Sequence, residues 1–196
     1  MKQYIRLWFT RFLECRHGGV LLAIFLALGV GVTTRGILLF KSAEEVSWTT
    51  SLGAAFFWGA LFDLGAALWW SLPLVMLLAL LPAGIFERRS ARAVAHLAFL
   101  GIVYLLLFGA VAEWFFWDEF GVRANFIAVD YLVYTTEVIG NIRESYPMPL
   151  ILTGLFIAAV IIYGLFLRTG WPDRWLTHAT TPAAPRWRAA GCWMGV

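Results

Sequence analysis

The chain is poor in charge. Asp, Glu, Lys and Arg make up 14% of its 196 residues, where soluble domains carry about 25%. That shortfall excludes an ordinary soluble globular domain. Cysteine is nearly absent: Cys15 and Cys192 stand near opposite termini, which leaves no disulfide framework and no cysteine metal motif. Histidine is limited to His17, His96 and His178, in three unrelated settings. No cluster of His, Cys, Asp and Glu has metal-ligand spacing, so the chain by itself offers no metal, no cofactor and no catalytic residue. A cleavable signal peptide is not expected either. The first apolar run begins near residue 18, is long, and shows no small-x-small site followed by a mature domain.

What remains is hydrophobic: 61% of the residues, among them 11 Trp, 6 Tyr and 16 Phe. Four long apolar runs approach or exceed the roughly 20 residues that a helix needs to cross about 30 Å of hydrocarbon. The aromatic excess suits a protein with two lipid–water interfaces to anchor. The expectation is an all-α polytopic membrane protein with about four transmembrane helices and an interfacial amphipathic segment on its outer face.

The spans are placed at about 18–40, 65–81, 93–114 and 148–167. Before the first, Lys2, Arg6, Arg11 and Arg16 interleave with apolar residues. This stretch is either an amphipathic helix on the inner leaflet or an ordinary basic flank. Arg35 stands near the far end of the first span, with a stem long enough to snorkel outward. The second apolar region, Thr49 to Leu81, would reach about 50 Å as one helix. We therefore read Trp48 to Phe62 as an interfacial or tilted lead-in. Asp63 is then placed at the outer interface, with burial against another helix as the costlier and more functional alternative. His96, at the start of the third span, reads as an interface residue rather than a ligand.

Orientation follows from the basic residues of the loops. With the N-terminus inside, the cytoplasmic side holds Lys2, Arg6, Arg11, Arg16, Arg88, Arg89, Arg92, Arg168, Arg174, Arg186 and Arg188. The outer side holds Lys41, Arg123 and Arg143, with Arg35 close by. Both termini are expected in the cytoplasm of a bacterial cell, with the chain multi-pass in its inner membrane. Because the cations sort by topology, a nucleic-acid partner is not expected. The tail, residues 169–196, is rich in Trp, Pro, Ala and Arg without apolar periodicity. It is expected to be disordered, or the aberrant end of an interrupted reading frame.

The informative stretch is Trp114 to Pro147, on the outer side. Arg123, Asp130, Glu137 and Glu144 recur every seven residues, close to two helical turns, so a helix would align them on one face. Strand-favouring Tyr131, Val133, Tyr134, Thr135 and Thr136, with Gly140, argue partly against it. A broken amphipathic helix on the outer leaflet is the expectation. Arg123, Asn125, Asp130, Glu137, Asn141, Arg143 and Glu144 are its candidate residues for meeting a lipid headgroup or docking a domain. Composition alone favours an ordinary solvated loop. Acid–base chemistry by Asp118, Glu119, Asp130 or Glu137 is not indicated, since carboxylate pairs are common near interfaces.

The string Asn125 to Pro147, NFIAVDYLVYTTEVIGNIRESYP, with the preceding Phe120, Gly121 and Arg123, resembles a stretch from the membrane portion of lipoteichoic-acid-synthase-like proteins. These are phosphoglycerol transferases of the alkaline-phosphatase/sulfatase superfamily. An aromatic usually stands where this chain has Ala124. The specific resemblance covers 25 to 30 residues, and the general one about 1–168. It implies membrane lipids as partners, a phosphatidylglycerol-type headgroup among them, and an extracellular or periplasmic catalytic domain. That domain carries manganese or zinc and a threonine nucleophile in the family, and makes the full-length proteins phosphoglycerol transferases or sulfatase-like hydrolases. This chain has no such half, so the expectation is a membrane anchor and lipid-presenting domain, truncated and not an enzyme by itself. A free-standing interaction protein that partners a separate enzyme is one alternative. A small transporter is another, although no internal repeat is visible and Asp63 is the one candidate charge at depth.

Overall fold

The computed structural model describes residues 17–44, 46, 49, 51–82, 84–123 and 135–178, with the side chains of 135–138 and 177–178 left aside. Among the described residues every regular element is helical. They are α1 (Gly18–Lys41), α2 (Ser51–Leu80), a 3₁₀ turn (Ile85–Glu87), α3 (Arg89–Phe120), α4 (Thr135–Ser145), α5 (Met148–Leu167) and α6 (Trp171–His178). The helices α1, α2, α3 and α5 are each long and apolar enough to cross a membrane. The chain is a multi-pass membrane protein.

The four long helices run up, down, up and down. The main contacts place α1 between α2 and α3, with α5 on α3. Two apolar clusters hold the row together. In one, Val20 and Ile24 of α1 meet Leu78 of α2, Phe86 of the turn, and Trp171, Trp175 and Leu176 of α6. In the other, Phe99 and Val103 of α3 meet Ala159 and Tyr163 of α5. Ala159 is fully buried; a small residue there lets the two backbones approach, the usual device where lipid supplies no hydrophobic drive between helices. By contrast, Phe62, Trp69, Trp70, Met76 and Leu80 of α2 are exposed, as side chains facing acyl chains would be.

Residues 51–80 form one helix, which joins the lead-in expected over 48–62 to the crossing that follows it. Pro73 lies inside it and has no N–H to donate to the preceding turn. At about 1.5 Å per residue, α2 and α3 are each longer than about 30 Å of hydrocarbon, so they tilt or project beyond it. Helix α3 ends where Gly121 takes the left-handed conformation (φ 64°) and returns its N–H to the Trp117 carbonyl at 2.9 Å.

The tail departs from expectation. Residues 171–178 form α6, with Trp171, Trp175 and Leu176 buried against the bundle. The short segment 171–178 has too little length to register as an apolar repeat, yet it places three large side chains inward. Gly170, at φ 64°, turns the chain from α5 into α6, and Arg174 bonds the Gly170 and Thr169 carbonyls at 3.2 and 3.3 Å. The rest of the tail, 179–196, and the basic stretch 1–16 lie outside the described residues.

Candidate functional site

Three ion pairs between described side chains lie at the bundle end opposite α6, in two tiers. At the tip, Lys41 closes α1, pairs with Asp118 of α3, and sits 4.3 Å from the Trp114 ring centroid. Its amine thus has both a carboxylate and an aromatic face as partners. Six residues back along α1 stands Arg35, and five back along α3 stands Glu113. On parallel neighbouring helices these offsets place both residues about 8–9 Å below the tip.

That lower tier holds two further ion pairs. Arg35 Nη2 lies 2.7 Å from Asp63 Oδ2 of α2. The two atoms touch ionically but out of hydrogen-bond alignment, and Arg35 Nη1 has no partner among the described residues. Arg35 is 8% exposed, so it does not snorkel outward as its stem length allowed; it turns inward to an acid. Asp63, expected at the outer interface or against another helix, is packed against α1. A mid-helix carboxylate is cheaper beside a cation than beside lipid.

Beyond α3, Arg123 folds back and donates its Nε–H to Glu113. The hydrogen bond to Glu113 raises the Arg123 pKa further above its already high ordinary value, and Asp63 adds a smaller Coulomb contribution in the same direction. Acids and bases therefore alternate across α2, α1, α3 and the start of the following segment. The Glu113 side chain is 17% exposed, against 40% for Asp118, so the lower tier is the better shielded.

Of the candidate residues read from the sequence, Arg123 belongs to this charged end. Asn141, Arg143 and Glu144 are exposed on α4. Glu137 lies in α4 with its side chain undescribed, and Asn125 and Asp130 lie outside the described residues. Over the described residues, the stretch that carries Glu137 and Glu144 is helical, 135–145. Helix α4 is moored at the same end by Tyr146, which stacks on Phe115 of α3 at 4.4 Å, while Pro147 leads into α5. Its Ile139 and Ile142 are exposed, three apart and so on one face.

The sequence reading did not single out Glu113. It stands one residue before an aromatic run, within a span, and its signal was an acid five residues below the interface acids Asp118 and Glu119.

The opposite end differs in kind. His96 Nδ1 and Tyr163 Oη are hydrogen-bonded at 2.6 Å between α3 and α5. They border a small apolar pocket with Phe99, Phe166, Trp171 and Trp175, and Trp171 Nε1 is buried there without a partner among the described residues. Arg88, Arg89, Arg92 and Arg168 are exposed at this end and form no ion pair among the described residues. No group of three or more His, Cys, Asp or Glu among the described residues is placed to hold a metal ion.

Comparison of the chain with protein-family models, curated proteins and solved structures finds no match.

Proposed function

We propose that this chain is a membrane anchor of a bacterial cell membrane that presents lipid headgroups at its Lys41 end. The reading takes the chain as the membrane portion of a sulfatase-like phosphoglycerol transferase, on the resemblance carried by residues 120–147. The observation that supports it is the contrast between the two ends. Lys41, Arg35 and Arg123 are each paired with an acid, whereas Arg88, Arg89, Arg92 and Arg168 are exposed and free of ion pairs among the described residues. Exposed cations are in excess on the cytoplasmic side. Arg143 is the one without an ion pair at the Lys41 end among the described residues, so that end reads as outward and both termini as inward. On that outer face α4 lies along the interface, Ile139 and Ile142 toward the acyl chains and Arg143 at headgroup level. A phosphatidylglycerol-type lipid meets the cation there, and a catalytic domain outside the membrane meets the lipid.

The transporter alternative needs a charge that lines a cavity at mid-depth. Asp63 faces Arg35 instead.

Two measurements test the proposal. In intact cells, single cysteines at 139–145 react with an impermeant thiol reagent and those at 84–92 do not; the reverse pattern overturns the orientation. The purified chain is then presented with phosphatidylglycerol and phosphatidylethanolamine in equal amounts and analysed by native mass spectrometry. Preferential retention of phosphatidylglycerol, diminished by Arg143→Gln, supports headgroup presentation. Equal retention of both lipids overturns it.

A further inference from the structure

We propose that Arg35 is the built-in counter-ion that α2 requires to keep Asp63 within the bilayer, so that α1 and α2 enter and persist as one charge-paired hairpin. Asp63 is the thirteenth residue of the 30-residue α2, about 18 Å from its start. A carboxylate in the middle of a spanning helix is among the least tolerated of residues, and the apolar stretch of α2 has a lower mean hydropathy than those of the other three spanning helices. Helix α2 packs chiefly on α1. Arg35 is the cation in ionic contact with Asp63 among the described residues.

The packing around the pair is reciprocal. Each charged residue stands four positions after a glycine of its own helix: Gly31 before Arg35, Gly59 before Asp63. In the antiparallel pair, each glycine faces the partner's charge. A Cβ on Gly31 would collide with the Asp63 carboxylate, and one on Gly59 would meet Arg35 Nε at 2.5 Å and Cζ at 2.6 Å. General closeness of the two helices does not account for this. Gly29 and Gly36 of α1, and Gly53 and Gly65 of α2, have open space where a side chain would go. The two occupied seats hold the two charges against each other and against the partner backbone. Aligning them requires that both helices be present together.

The test uses the full chain in membranes, with Arg35→Leu, Asp63→Leu and the double replacement, read as alkali-resistant integrated protein and as the half-denaturation temperature in detergent. Arg35→Leu leaves Asp63 uncompensated and lowers folded, integrated protein by at least about tenfold. Asp63→Leu costs less, because the longer arginine can reach the interface once released. The double replacement restores the level to within about threefold of the parent, since a well-packed apolar pair substitutes for a buried ion pair. Gly59→Leu, which displaces Arg35 without changing any charge, reproduces the Arg35→Leu loss. If the double replacement is as poor as Arg35→Leu, or if Arg35→Leu matches the parent, the counter-ion role is overturned.

Discussion

The indole of Trp175 occupies the place where a side chain on Gly19 would stand: a Cβ there would come within 2.7 and 2.8 Å of the ring carbons Cζ2 and Cη2. Gly19 opens α1 and Trp175 lies in α6, so a helix near one end of the chain is seated on a helix near the other. The same indole stacks on Trp171 at 5.8 Å and approaches Phe86 at 6.2 Å. The end of the bundle is thereby closed by aromatic packing, where the opposite end is closed by ion pairs.

Filling that seat should release α6. A rigid ring cannot yield as a flexible chain can, and overpacking of this kind costs about 1–3 kcal/mol. Leu176, buried at 2% exposure, reports the event. With Cys15 and Cys192 replaced by serine, a Leu176→Cys thiol is protected in the parent and becomes reactive when Gly19→Leu is added. Continued protection would mean that α6 is held without Trp175.

The hydroxyl of Tyr163 joins α5 to His96 of α3, while its ring packs at 6.0 Å from Phe99. Tyr163→Phe removes the hydrogen bond and keeps the ring, at a cost of about 0.5–1.5 kcal/mol. Tyr163→Ala also empties the space and costs about 3–5 kcal/mol, as loss of a large aromatic does. Thermal denaturation in detergent should rank parent, Tyr163→Phe, Tyr163→Ala in falling order. A double-mutant cycle with His96→Leu should show that the Tyr163→Phe loss disappears once His96 is gone. Full additivity would deny the bond a role.

The ion pairs at the Lys41 end differ in shielding, and their energetics should follow. Glu113 is less exposed than Asp118, and screening by salt weakens exposed pairs most. Asp118→Asn is expected to cost about 0–1 kcal/mol at low salt and nothing measurable at high salt. Glu113→Gln, which leaves the Arg123 guanidinium without its carboxylate, is expected to cost more and to lose little of its effect when salt rises. Denaturation midpoints of both variants at low and high ionic strength check the order; an equal salt dependence would contradict it.

Much of the architecture was legible before the fold was known. The four apolar runs reappear as α1, α2, α3 and α5, because a spanning helix satisfies its own backbone hydrogen bonds and declares itself by length and apolarity alone. Boundaries were less legible: α2 begins well before the expected crossing and α3 continues to Phe120. Helical propensity carries on past the hydrocarbon, and nothing local marks where the lipid ends. The short α6 was missed, since eight residues with two tryptophans look like tail until something packs beneath them. Of the seven candidate residues, the structure brings Arg123 into a defined contact, with Glu113.

Composition along the chain settles the class of molecule: how many helices can span, where charge is scarce, and which loops carry the cations. Each of these depends on composition along a single segment. Partnership was decided by the tertiary structure alone. Arg35 meets Asp63, and Gly31 and Gly59 become seats, through the antiparallel register of α1 on α2. That register is a property of two helices in contact, and a shift of one residue turns a side chain about 100° around its helix. No spacing within either helix specifies it.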